Sequence, residues 1–197
     1  MRFINSFLNE NRKLFFALSF VWICSSVSGV IFASKLNEDI YPDIFIEISD
    51  SFSHSPSVVT MIQNQADYLL KVFIAVIISS LGAIFSPLIF LITGFDAFSS
   101  GLSAALIVKT YSLRGALTNL FIHVLPLSVS LPLYFVMFIS GVKFSLSPRT
   151  AILHQRVSER RKQWISYLLF QGAICLFIFA VDVIKAFLCK GIIGFLN

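Results

Sequence analysis

Four polar side chains interrupt the apolar runs of this chain: Asp96, His123, Gln171 and Asp182. Polar groups at membrane depth are costly, so each is a candidate site before it is anything else. Asp96 stands in GFDAFSSG between two hydrophobic stretches. Beside Gly94 it reads as the cap and turn that opens a helix, its carboxylate facing the positive helix end. The alternative is a proton or ion site. His123 precedes Pro126 and Pro132, whose missing N–H groups free backbone carbonyls and allow a kink. A histidine there either lines a transport path or bonds to a neighbouring helix. Asp182 and Lys185 have the i,i+3 spacing of a helical ion pair, with snorkelling at a helix end as its setting. Lys71 is explained in the same way, and Gln171 is an inter-helix hydrogen-bond donor.

No catalytic set accompanies them. HExxH and the phosphate loop are absent from the sequence. Gly101-Leu102-Ser103 is not followed by the rest of a nucleophile elbow, and Asp and His on separate helices are too little for an acid–base pair. Cys24, Cys175 and Cys189 form no CxxC or Cys/His cluster and read as buried small hydrophobes. No catalytic residue, metal ligand or cofactor is expected.

The elements that position these residues follow from composition. Of 197 residues, 57% are hydrophobic and 13% charged, with a mean hydropathy of +0.86. Soluble domains carry roughly 25% charged residues, so this chain is built for lipid. Its net charge of +5 then describes loops rather than a nucleic-acid surface. Five spans are predicted, at about 14–33, 68–93, 95–113, 116–142 and 164–188, in one all-α, polytopic membrane bundle covering residues 1–197. The first run exceeds the roughly 7–15 apolar residues of a signal peptide and is read as a retained helix.

Loop charge sets the expected orientation. Connection 34–67 carries Glu38, Asp39, Asp43, Glu47, Asp50 and Asp67, whereas 143–163 carries Lys143, Arg149, Arg156, Arg160, Arg161 and Lys162 against Glu159. Basic residues resist translocation. The second connection and the N-terminus, with Arg2, Arg12 and Lys13, therefore belong in the cytoplasm, and five crossings put the C-terminus outside. Lys109, Arg114, Lys185 and Lys190 fall on the outer side as exceptions. Ser147 and Pro148 start an expected interfacial helix whose Arg149, Arg156, Arg160, Arg161 and Lys162 would meet anionic lipid or a soluble protein, unless they serve only as topology signals. Ser55 and Pro56 repeat that helix start, so the second helix is expected to begin outside the bilayer.

Helix association in lipid rests on close backbone approach. Ser25, Gly29 and Ala33 repeat every four residues, as do Ala97, Gly101 and Ala105, and Ser79, Ser80, Gly82 and Ser86 make a third small patch. These predict a compact bundle filled out by 22 Phe residues.

Residues 64–145 resemble the stage II sporulation protein M family of membrane proteins. The family has an NGFxxG turn between its second and third helices, matched here by DAFSSG with Phe98 and Gly101 in place. Its fourth helix carries HGxxELP and a later glycine, matched by Leu131, Pro132 and Gly141, with Ser130 in place of Glu and Pro126 in place of His. The resemblance implies about five helices, a bacterial cytoplasmic membrane and work inside a multiprotein assembly that includes cell-wall hydrolases or peptide export and immunity systems. The first functional expectation is thus a non-enzymatic membrane scaffold or accessory subunit. The second is the membrane subunit of an exporter working with a separate ATPase, and the third an intramembrane enzyme. Lipid and other membrane or peripheral proteins are the expected partners, oligomers included, and nucleic acid is not.

Overall fold

The structure, a computed structural model, describes residues 7, 9–36, 57–146 and 157–196, with only the backbone at 122–123, 157–160 and 192–196. It is all-helical over the described residues: α1 (Arg12–Lys35), α2 (Val58–Ser80), α3 (Pro87–Asn119), α4 (Leu125–Leu146) and α5 (Val157–Leu196). Five helices, with windows at Arg12–Lys35, Val58–Ser80, Ala83–Asn119, Leu125–Leu146 and Arg161–Gly191, are long and apolar enough to cross a membrane. The chain is a multi-pass membrane protein.

Of two helix boundaries, one differs from the sequence reading. The break expected at residues 94–97 lies at 81–86 instead. There Gly82 is extended, Ala83–Phe85 makes one 3₁₀ turn, and Pro87 sits in the first turn of α3. Proline at that position forfeits no helical hydrogen bond, so Pro87 starts a helix rather than kinking one. Asp96, expected as a cap, is consequently in the middle of α3, and DAFSSG is continuous helix, not a turn. At the other boundary, Ser112 adopts φ 52°, ψ −127° and bends α3 sharply before residues 113–119. Leu120–Val124 then forms a π-helical segment in which the Leu125 N–H reaches back to the Leu120 carbonyl. It leads directly into Pro126, which has no N–H to offer the ladder. The boundary expected between 113 and 116 thus falls beside the Ser112 break, and the helix that resumes at Leu113 runs through the π segment into α4.

At the start of α2, Ser57 is the N-cap, its hydroxyl accepting from the Thr60 N–H at 3.1 Å. Ser55 and Pro56, the acidic residues 38–50 and the start of the basic segment at 147–156 lie outside the described residues.

Contacts show the helices alternating in direction. Tyr68 of α2 meets Asp96 of α3 across the 81–86 turn. Phe144 of α4 stacks on Tyr167 of α5 at 4.2 Å and meets Trp164 edge-on at 4.6 Å. α1 runs parallel to α3, since Gly29 lies against Phe98 and Leu102 while Ala33 and Leu36 cluster with Leu106. One end of the bundle thus carries the α2–α3 turn with the starts of α1 and α5. The opposite end carries the Ser112 bend and the π segment.

α4 is central. Phe135, Val136, Met137, Phe138 and Ile139 are all buried, and five consecutive residues cover the whole helix circumference. Around them pack Leu69, Val72 and Val76 of α2, Ile89 of α3 and Ile174 and Ile178 of α5. α1 is peripheral, and Phe16, Phe20, Ile23 and Val27 face outward along it, the three- and four-residue spacing of a lipid-facing stripe.

A polar cavity between the helices

The two small-residue ladders meet face to face. A methyl group on Gly29 would strike the Phe98 carbonyl oxygen, and one on Gly101 would strike the Ser26 carbonyl. Ala33 and Ala97 are 1% and 0% exposed, Ala105 packs beside Ala33, and Ser25 lies against Gly94. Backbone thus rides on backbone along α1 and α3, a packing that only very small residues permit. Lys109 closes the far end of this pair by donating its Nζ to the Leu36 carbonyl at the C-cap of α1. That gives a local reason for one basic residue that ran against the charge rule.

Gln171 ties α5 to α4. It is fully buried, and its Nε2 lies 3.1 Å from the Met137 carbonyl, 2.8 Å from the Ser140 hydroxyl and 2.9 Å from the Tyr167 hydroxyl, acceptors that its two N–H groups share, while its buried Oε1 has no partner among the described residues.

Asp96 is held by Tyr68, whose hydroxyl donates to Oδ1 at 2.6 Å. The short charge-assisted bond crosses from α2 to α3 and satisfies one carboxylate oxygen. With α3 starting at Pro87, Asp96 lies roughly 14 Å along the helix axis from the α2–α3 turn.

Asp96 also opens onto a cavity of about 270 Å³. Its ionisable lining is Asp96, Asp182 and Lys185; its aromatic lining is Trp22, Tyr68 and Tyr134. Ser99, Ser100 and Ser103 of α3 and Ser130 of α4 add hydroxyls. Pro126 and Gln65 line it on the side nearer the bend end of the bundle. Every helix contributes, α1 through Trp22 alone.

The pair Asp182–Lys185 does not form the ion pair its spacing suggested. Asp182 is 8% exposed, and its buried Oδ2 has no hydrogen-bond partner among the described residues. Lys185 lines the same cavity as Asp182 and Asp96. The two carboxylates and one ammonium therefore share one space, with a formal sum of −1.

His123 falls in the π segment Leu120–Val124, where only its backbone is described. Arg161 and Lys162 are exposed at the start of α5, Arg160 is described by backbone alone, and Arg149 and Arg156 lie outside the described residues. Lys71, expected near a helix end, is exposed midway along α2, one turn after Asp67. Three of the expected polar residues, Asp96, Asp182 and Lys185, are thus brought together; Gln171 is separate, nearer the turn end.

Tyr68, Tyr134 and the serines were not anticipated. On α3 a signal existed: Asp96, Ser99, Ser100 and Ser103 recur at three- and four-residue spacing, which is one face of a helix. It appears only when the helix is allowed to run through Gly94.

A second, apolar cavity of about 370 Å³ adjoins the first, lined by Leu91, Ile92 and Phe95 with Tyr68, Asp96 and Ser99 shared between the two. Among the described residues no three His, Cys, Asp or Glu side chains group as a metal site. No protein-family model matches the chain, and no curated protein and no solved structure matches it.

Proposed function

We propose that the chain is a non-enzymatic membrane subunit of transport type, which handles a polar solute inside the bilayer of a bacterial cytoplasmic membrane. The observation that carries this reading is the 270 Å³ polar cavity with Asp96, Asp182 and Lys185 on its walls. A protein serving only as a scaffold has no need of two carboxylates and an ammonium around a void at membrane depth, where each is costly. The reading threads the chain five times, N-terminus in the cytoplasm and C-terminus outside, and places the cavity in the outer half of the bundle. A separate ATPase meeting the basic 143–163 connection is the partner it calls for.

The test is water access to the cavity. In a chain whose three native cysteines are replaced by alanine, Ser99→Cys and Ser130→Cys are expected to react with a membrane-impermeant thiosulfonate added outside intact cells. Leu169→Cys, at a position 70% exposed toward lipid, serves as the unreactive control. Cavity cysteines as inert as the lipid-facing one would end the transport reading. Reporter fusions at the two chain ends are expected in opposite compartments, and a shared compartment would overturn the threading.

A second reading, the scaffold implied by the resemblance to the stage II sporulation protein M family, draws support from the exposed Arg161 and Lys162. They share their end of the bundle with Arg12, Lys13 and Lys143. Under it, neutralising Arg156, Arg160, Arg161 and Lys162 together abolishes co-purification of cytoplasmic partners with topology unchanged; retention of every partner would refute docking there.

A further inference from the structure

Resting on the transport reading, we propose that the cavity binds a small amphiphilic organic monocation, its ammonium group on Asp182 and its apolar part against Trp22, Tyr134 and the adjoining apolar cleft. Four observations converge on that class. The first is charge: Asp96 and Asp182 against Lys185 leave one negative charge to be balanced. The second is an open acceptor. Asp96 already receives the Tyr68 hydroxyl at 2.6 Å, whereas Asp182 is 92% buried by its 8% exposure and keeps Oδ2 without a partner. A buried, unpartnered carboxylate oxygen on a cavity wall is where an N–H donor gains most.

The third is size. A void of about 270 Å³, filled at the density of a protein interior, ~0.74, takes a ligand on the order of ten non-hydrogen atoms. That volume is far larger than a bare ion needs. The fourth is the wall chemistry. Trp22, Tyr68 and Tyr134 offer aromatic faces to a cation. The neighbouring cleft of Leu91, Ile92 and Phe95 shares Tyr68, Asp96 and Ser99 with the polar cavity. That cleft is open to the outside, Leu91 and Phe95 being 70% and 75% exposed, so an apolar tail reaching it would lie at the outer surface of α3 with its charged head in the polar cavity.

The probe is 2-phenylethylammonium, with 2-phenylethanol as its neutral counterpart and phenylalanine as its zwitterionic one. The chain has two tryptophans. Trp164→Phe, at the opposite end of the bundle, leaves Trp22 in the cavity as the sole indole reporter for titration of the full chain in micelles. Saturable change in Trp22 emission is expected with the ammonium and not with the alcohol. Asp182→Asn is expected to weaken binding by about tenfold or more, the effect of losing a charge-assisted hydrogen bond. Lys185→Gln, which removes the internal competitor for the carboxylates, is expected to tighten it several-fold. A merely structural role for these residues would weaken binding in both variants, so the opposite signs separate site from fold. Equal response to the alcohol, tighter binding of the zwitterion, no change in Asp182→Asn, or no saturation at all would each overturn the proposal. If Ser99→Cys and Ser130→Cys are water-accessible while no saturable binding is seen, the cation assignment falls and the transport reading stands; inert cysteines remove both.

Discussion

The contact between α1 and α3 can be broken with one methyl group. A Cβ on Gly101 would overlap the Ser26 carbonyl oxygen, lying 2.9 Å from the Ser26 carbonyl carbon and 3.0 Å from its Cα. Carbon atoms rest at roughly 3.5–4.0 Å, so α1 must retreat by about 0.5–1 Å. The obstacle is backbone, which cannot rotate away as a side chain can. A gap of that size forfeits a quarter to a half of each dispersion contact along the pair, and overpacking of this kind costs typically about 1–3 kcal/mol. Against this, Gly→Ala within a helix is intrinsically favourable by up to about 1 kcal/mol. Gly172 supplies the control, because a Cβ there meets nothing within 4 Å. Gly172→Ala is expected to be neutral or stabilising and Gly101→Ala destabilising by about 1–2 kcal/mol net, a separation of about 2 kcal/mol between identical substitutions. Gly101→Val widens it. The assay is SDS-driven unfolding of the purified full chain in mixed micelles, followed by far-UV circular dichroism. Equal midpoints for Gly101→Ala and Gly172→Ala would refute backbone-on-backbone packing of these helices.

Other perturbations test the remaining joints by the same measurement. Gln171→Leu removes the two amide N–H donors that reach the Met137 carbonyl and Ser140 hydroxyl of α4 and the Tyr167 hydroxyl of its own helix. A loss of about 1–2 kcal/mol is expected, and an unchanged midpoint would show the network to be idle. Tyr68→Phe deprives Asp96 of its donor and is expected to cost about 1–3 kcal/mol, with Asp96→Asn added on top recovering part of it as the stranded charge is removed. Failure of the second change to recover anything would mean the carboxylate is already solvated. Ser112 has φ 52°, a conformation that costs an L-residue roughly 1–2 kcal/mol and glycine almost nothing. Ser112→Gly is therefore expected to be neutral or stabilising, and clear destabilisation would show that the bend is not strained.

What could be read from the sequence and what could not divide along one line. Five helices followed from the apolar runs, because span length is fixed by bilayer thickness and needs no tertiary information. The small-residue ladders were equally visible, since fourfold spacing is a property of one helix. The errors fell where two neighbouring runs had to be separated. Gly94 and Asp96 looked like a turn because glycine and aspartate favour turns in water. Inside lipid, however, a lone glycine tolerates helix and an aspartate needs only one donor. That donor, Tyr68, is 28 residues away and could not be read from local pattern. The true turn at Gly82–Ser86 carries no charge, yet it has Pro87 immediately after it, the stronger stop signal. Asp182 and Lys185 failed for a related reason. Their spacing permits a pair, but both line a cavity that α3 and α4 complete, and no single-helix argument contains that cavity.

The same geometry links the packing of α1 to the cavity. α1 contributes Trp22 to the cavity wall and lies otherwise at the edge of the bundle. Its hold on α3 runs through Gly29 and Gly101, and Trp22 precedes Gly29 by about two helical turns. A retreat of α1 by half an ångström or more at Gly101 must therefore carry the indole away from Tyr68 and Asp96. Gly101→Ala is accordingly expected to shift Trp22 emission to longer wavelength in the Trp164→Phe background, as water gains access to the indole, even in micelles where the chain stays folded. Gly172→Ala, which leaves α1 where it is, is expected to leave the spectrum unchanged. An unshifted spectrum in Gly101→Ala, together with a lowered unfolding midpoint, would mean that α1 and the cavity are mechanically independent, and that the ladder serves stability alone.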